Sequence, residues 1–254
     1  MRYKVTLSYN GSDFCGWQVQ PSAPSVQGTL EKALSTLLKE EISVTGAGRT
    51  DTGVNAVGYI AHFDAAEDID CKQLRYKLNA ILPSSIAVTD IVSTCEDFHA
   101  RFGAKRRKYT YFLHRVKDPF ADNFSYFFGY PDFDVEAMNK AASLLLGTHD
   151  FSSFEKTGAD NKTSICNVMS ASWSYYSPVI LPDPSGAGRN YLRFDIEADR
   201  FLRNMVRAVV GTLLEVGRGK RTPESIADLL EKHDRCAAGE SVPGHALFLS
   251  EIEY

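Results

Sequence analysis

No stretch of this 254-residue chain approaches the ~20 consecutive apolar residues that a membrane helix needs, so no bilayer-spanning segment is expected. Positive charge is not in excess either. The 28 Lys and Arg against 32 Asp and Glu leave a net charge of -4, which argues against a general polyanion binder and confines any nucleic-acid site to a local patch. Cysteine is scarce: Cys15, Cys71, Cys95, Cys166 and Cys236 are odd in number, scattered and without a C-x-x-C pair, as expected of reduced structural thiols. The histidines (His62, His99, His114, His149, His233 and His245) show no H-x-x-x-H spacing and no Cys/His grouping, so no metal is expected. A G-x-S-x-G element is missing, and no Gly-Lys-Ser/Thr follows the Gly46-Ala47-Gly48 run, so neither a hydrolase nucleophile elbow nor a phosphate loop is indicated.

An apolar share of 44% with 24% charged residues is that of an ordinary globular protein. Apolar Met1, Tyr3, Val5, Leu7 and Tyr9 alternate with Arg2, Lys4, Thr6 and Ser8, a strand pattern without the continuous apolar core of a signal peptide. The chain is therefore expected to begin near residue 1 and to stay in the cytoplasm. A loop over residues 10–24 precedes Val26, Leu30, Ala33, Leu34, Leu37 and Leu38 at helical spacing, with Ser25 placed as cap. Residues 43–45 and 57–64 read as strands around a Gly-rich turn, residues 46–53. Leu74, Leu78, Ile81 and Leu82 mark a helix that Pro83 ends, and Ile86, Val88 and Val92 mark a strand.

The second half repeats this order with insertions. Residues 108–115 are strand-like, and Val135, Met138, Ala142 and Leu145 give a helix closed by Gly147. Residues 163–176 and 191–198 are strand candidates flanking a loop with Pro178, Pro182 and Pro184. A helix is expected over residues 200–216, a short one opening at Thr222-Pro223, and a last strand over residues 246–254. Two successive β-α-β-β-α-β units predict an α+β fold of two ferredoxin-like halves, residues 1–104 and 105–254. Edge-to-edge joining would give a continuous antiparallel sheet with helices on one face.

Three features could carry chemistry. Residues 46–56, Gly-Ala-Gly-Arg-Thr-Asp-Thr-Gly-Val-Asn-Ala, set Arg49 and Asp51 two residues apart, on the same side of an extended segment and bracketed by glycines that let a ligand approach. A neighbouring guanidinium would keep the carboxylate ionised; alternatively, Asp51 and the threonines only close a turn. Arg200, Arg203 and Arg207 share one face of the expected helix, as a phosphate track, as a cap on a buried acid or as a plain solvated face. Residues 98–111 interleave Arg101, Lys105, Arg106, Arg107 and Lys108 with Phe98, Phe102, Tyr109 and Tyr111. That mixture suits single-stranded RNA, although aromatics at strand spacing also build cores.

Together with Tyr9-Asn10-Gly11, Phe14, Gly16-Trp17-Gln18, Val26-Gln27-Gly28, Leu78-Asn79, Leu82-Pro83, residues 151–154, residues 201–217 and residues 243–249, these elements resemble the TruA-type tRNA pseudouridine synthases nearly end to end. The Gly-Arg-Thr-Asp-x-Gly-Val element is that family's signature. The resemblance implies a homodimer, free of cofactor and metal, that isomerises uridine to pseudouridine at positions 38, 39 and 40 in the anticodon stem-loop of tRNA. It implies Asp51 as the catalytic aspartate, Arg49 as its signature neighbour, Arg207 as the arginine paired with it, and Tyr109 as the ring stacked on the target uracil. Further substrate contacts are expected from Lys108, Arg106, Arg107, Arg203 and Arg101. Three positions depart from the family pattern: Asn10 for the usual Asp, Asn55 for the usual His, and Ala246 for the usual Gly. A non-catalytic RNA-binding protein of two RRM-like units is the alternative, but no Gly-Phe-Gly-Phe-Val element supports it. A nucleoside hydrolase would need a second carboxylate or a metal-binding Asp cluster near Asp51.

Overall fold

The computed structural model describes residues 1–131, 133–158, 162–178 and 188–254, so Pro182 and Pro184 of the expected loop lie outside the described residues. In chain order the elements begin with β1 (Arg2–Tyr9), α1 (Val26–Leu38), β2 (Val44–Gly46), β3 (Asn55–Asp64), α2 (Cys71–Ile81) and β4 (Ile86–Thr94). They continue with β5 (Arg106–His114), β6 (Tyr126–Phe127), α3 (Val135–Ser143), β7 (Gly147–Asp150), β8 (Ile165–Tyr175) and β9 (Tyr191–Ala198). Helices α4 (Met205–Gly217) and α5 (Ser225–Lys232) and strand β10 (Leu247–Glu253) complete the order. The fold is α+β with mostly antiparallel strand pairing. Among the described residues no helix is long and apolar enough to cross a membrane. The chain divides into two compact units, residues 1–107 with 248–254, and residues 108–247.

In the first unit β1 buries Tyr3, Val5, Leu7 and Tyr9 and leaves Arg2, Lys4, Thr6 and Ser8 half-buried, the alternation that its sequence dictates. Strand β1 pairs antiparallel with β3 on one side and β4 on the other. Strand β2 pairs antiparallel with the far end of β3, and β10 runs parallel to its start at Phe248↔Asn55. Ser25 caps α1 by accepting from Gly28 N, and Val26, Leu30, Ala33 and Leu34 form its buried stripe. Asp70 caps α2 in the same way, and Pro83 follows its end. The Asn79 amide ties α2 to β4, donating to the Val88 carbonyl and accepting from the Val88 N–H, both at 2.8 Å.

In the second unit the strand order is β5-β9-β8-β7, with β6 parallel to β5. Helix α4 is buried almost all round and packs on α3. Gly211 of α4 lies so close to the strap at residues 239–242 that a Cβ would sit 1.8 Å from the Glu240 carbonyl oxygen.

Two helix starts differ from expectation. Asn204 adopts φ 67°, which breaks the helical path, so α4 begins at Met205, and Arg200 and Arg203 precede it. The expected arginine stripe of residues 200, 203 and 207 on one helix therefore does not exist. Helix α5 begins at Ser225, because residues 222–224 form a turn in which Ser225 N donates to Thr222 O. Strand β7 is an addition: Gly-Thr-His-Asp carries no apolar alternation to betray it.

His62 on β3 is buried and its Nδ1 accepts the Ala100 N–H at 3.1 Å. Burial, reinforced by Arg2 and His99, pulls its pKa down from 6.5 to about 4. Between those values the unfolded chain takes up a proton that the folded chain refuses. The stability this creates is fully present above pH 6.5 and is lost as pH falls toward 4. Tm should therefore drop on titration from pH 7 to 4.5, and His62→Asn should shrink the drop while His114, also lowered by burial, keeps part of it. Thermal melts at the two pH values check this; an undiminished drop in the variant contradicts it.

Candidate active site

Strand β3 begins two residues after Gly53, so β3 fixes one end of the Asp51 segment and β2 fixes the other. Between them the turn is clamped by the loop at residues 10–17. Trp17 N donates to Thr50 O at 3.3 Å, Gly53 N to Phe14 O at 3.3 Å, and Gly11 N to Asn55 Oδ1 at 2.9 Å. The turn closes on itself through Val54 N and Asp51 O at 3.1 Å. These approaches leave no room for side chains: a Cβ on Gly11 would sit 2.2 Å from Val54 O, and one on Gly16 2.3 Å from Thr50 O. Gly16 also holds φ +90°, a conformation that glycine alone adopts without strain.

Beneath the turn lies an aromatic trio. Trp17 and Tyr59 have ring centroids 4.2 Å apart, and Tyr9 meets the Tyr59 ring edge-on at 5.6 Å. Their polar ends bind the turn: Tyr9 OH bonds Thr50 Oγ1 at 2.9 Å, and Tyr59 OH donates to Gly48 O while accepting from Gly48 N. Thr50 is buried by this contact. Asp51 is half-buried and Arg49 is exposed. At Gly48 a Cβ would meet no protein atom within 4 Å, so internal packing does not demand glycine there.

The two Asn departures acquire structural roles. Asn55 is buried, its side chain spent on Gly11 N, and Asn10 Oδ1 accepts from Ser12 N at 3.0 Å to start the following 3-10 turn. Ala246 is buried without positive φ, so glycine is not required.

The basic run divides by partner. Arg106 is bound by Glu251 at 2.8 Å and Glu253 at 2.7 Å. Lys108 lies 3.7 Å from Asp195 and 3.6 Å from Glu197. Arg107 spends its guanidinium on carbonyls: Nη1 donates to Ala104 O at 3.0 Å, and Nη2 to both Ala47 O at 3.1 Å and Arg101 O at 2.8 Å. Residues 101–108 contain no acid, yet in space carboxylates meet Arg106 and Lys108. Arg107 is a brace of the turn that its position in a basic run did not reveal.

In the second unit Tyr109 is buried and meets Phe201 edge-on at 5.0 Å. Arg207 is half-buried near the start of α4, with Nε on Val242 O at 2.7 Å. Tyr111 is fully buried, its hydroxyl donating to Pro243 O at 3.1 Å, and burial raises its pKa well above the usual phenol range. Arg203 is exposed in the loop before α4, where its carbonyl accepts from Lys156 N.

Residues 6–103 and 141–254 match a family model described as tRNA pseudouridine synthase. A protein of Bacteroides thetaiotaomicron named tRNA pseudouridine synthase A is 46% identical over 253 residues, covering 100% of this chain and 90% of its own. Its namesake from Parabacteroides distasonis is 46% identical, covering 100% and 96%, and that of Bacillus subtilis 40% identical, covering 100% and 99%. The chain therefore belongs to the TruA-type tRNA pseudouridine synthase family, a class of isomerases.

The clamp makes a graded prediction. Gly16→Ala adds a Cβ against the Thr50 carbonyl as well as strain at positive φ, and should cost about 1–3 kcal/mol from overpacking alone together with most of the catalytic rate. Gly219→Ala has the φ penalty (φ +68°) with no atom within 4 Å, and should lose stability and keep its rate. Urea melts and turnover of the two variants check this; equal turnover in both would contradict a role for the clamp.

Proposed function

We propose that this enzyme converts uridine to pseudouridine at positions 38, 39 and 40 in the anticodon stem-loop of tRNA, with Asp51 as its one catalytic carboxylate. The observation that carries the proposal is the turn itself. A half-buried carboxylate sits on a backbone held at both ends by strands and along its length by a glycine-lined loop, in a chain whose relatives are named tRNA pseudouridine synthase A. Such a mounting suits a group that must meet one sugar carbon. The open space at Gly48 suits close approach of an RNA backbone to the same turn.

The reaction breaks the C1'–N1 bond, rotates the uracil and forms C1'–C5. The hydrogen on C5 leaves as a proton and N1 gains one, so mass is unchanged. Glycoside hydrolysis uses a second carboxyl group as general acid or to activate water. Here uracil departs as a stabilised anion and no water is wanted, so one carboxylate suffices. Asp51 serves either by attacking C1', which displaces the uracil anion and leaves a sugar ester, or by taking the C2' proton, which gives a glycal. In the first route C5 displaces the Asp51 oxygen from C1', and in the second C5 bonds to C1' as the proton held by Asp51 returns to C2'. The target base must leave its stack first, and Tyr109 is assigned to replace the lost stacking. Arg207 is assigned to balance the carboxylate charge and Arg49 to act beside Asp51 in the catalytic turn, and Arg101 and Arg203, both exposed, are assigned to meet the RNA. Arg106 and Lys108 keep a weaker claim as substrate contacts, since acids already hold them. The enzyme is assigned to the cytoplasm as a homodimer, in line with the family resemblance.

Asp51→Asn should abolish tritium release from 5-tritiated uridine in tRNA while leaving the tRNA Kd within a few-fold of the original. Normal release by the variant would defeat the assignment of Asp51.

A further inference from the structure

Phe102 is among the most exposed large apolar side chains of the described residues, 77% open to solvent, yet it stands on one of the most firmly tied loops. Gly103 N donates to His99 O at 2.8 Å, and the N–H groups of Arg101 and Phe102 both donate to His99 Nδ1 at 3.2 Å. The carbonyls of Phe98, Ala100, Arg101 and Ala104 accept from Arg2, the Tyr254 hydroxyl and Arg107. Ala100 N is taken by His62, and Lys105 N by Glu253 O. The ring itself leans on His99, centroids 4.4 Å apart, with the Arg101 guanidinium 5.5 Å from its centre. An exposed phenylalanine contributes little to folding, and a loop tied this tightly does not let it collapse onto the core.

The loop is also joined to the candidate active turn. One atom, Nη2 of Arg107, donates to Ala47 O of that turn and to Arg101 O of this loop. The exposed ring with its guanidinium therefore lies beside the Asp51 turn within the same unit, with Lys105 exposed next to it. A preset aromatic face flanked by cations is the chemistry of a stacking platform for an unpaired base whose phosphates the cations track.

We propose that Phe102 is a stacking subsite for an unpaired nucleobase of the RNA substrate, with Arg101 holding the adjoining phosphate. This rests on the reading of the chain as a tRNA-modifying enzyme and names a binding residue beyond those assigned above. The ring acts in binding and takes no part in bond-making, so its loss appears in KM and leaves kcat.

The test is tRNA binding by fluorescence anisotropy together with steady-state kinetics for Phe102→Ala, Phe102→Trp, Arg101→Gln and, as a control, Phe120→Ala. Phe120 is 69% exposed in the other unit. Phe102→Ala should raise the tRNA Kd and KM by about 5- to 150-fold, the equivalent of ~1–3 kcal/mol per stacked base, with kcat within a few-fold. Phe102→Trp should restore affinity, and Phe120→Ala should change neither. Arg101→Gln should lower the slope of log Kd against log salt by about one. An unchanged Kd in Phe102→Ala, equal losses in the Ala and Trp variants, or an effect confined to oligomeric state would overturn the proposal. If the unaltered protein modifies tRNA while Phe102→Ala binds normally, only this subsite fails; if the unaltered protein leaves tRNA unmodified, the functional reading fails instead.

Discussion

Backbone-to-backbone contact between residues 11–17 and residues 50–54 is the constraint on which the candidate site depends. A Cβ on Gly11 would strike the Val54 carbonyl oxygen and one on Gly16 that of Thr50, so glycine at these two positions lets the segments approach this closely. Once the segments touch, N–H and C=O groups of the two satisfy one another: Trp17 N with Thr50 O, and Gly53 N with Phe14 O. Thr50 faces inward on Tyr9, and the next residue, Asp51, is half-buried. Each hydrogen bond contributes ~1 kcal/mol net, so it is the concerted geometry of several that holds the carboxylate.

A net charge of -4 is compatible with an RNA substrate because the cations are distributed by function. Arg2 and Arg106 are held by carboxylates, and Arg107 and Arg115 by carbonyls. Arg49 of the candidate turn, and Arg101 and Lys105 of the loop that Arg107 ties to it, are exposed. Counting basic residues along the sequence overstates the charge that can meet phosphate. Arg107 illustrates the difference, since its place in a basic run suggests a phosphate contact while its three carbonyl partners make it a brace between two loops.

What was legible in the sequence followed the strength of local signals. Strand β1, with strict alternation, and helices α1 and α2, with capping residues and apolar stripes, form as their patterns dictate. The start of α4 was not legible, because residues 200–204 continue a plausible helical pattern and only Asn204 in a left-handed conformation ends it. Strand β7 is four residues long with no apolar alternation, and its pairing to β8 alone defines it. At the site, the glycines and the Arg-Thr-Asp run marked the turn, but the pairing of Arg106 with residues 251 and 253 joins positions far apart in sequence. The alternation Glu251-Ile252-Glu253 opposite a basic strand was the one available hint. Asn55, marked in the sequence only as a departure from the family pattern, is a buried partner of Gly11.

The account stands or falls on isomerisation by this chain. The direct measurement is to incubate the purified protein with unmodified tRNA, weigh the RNA and its small-molecule products, and map carbodiimide-dependent stops of reverse transcription. The account predicts unchanged mass, no free uracil and stops within the anticodon stem-loop. Released uracil, or tRNA that shows no new stop, would contradict it.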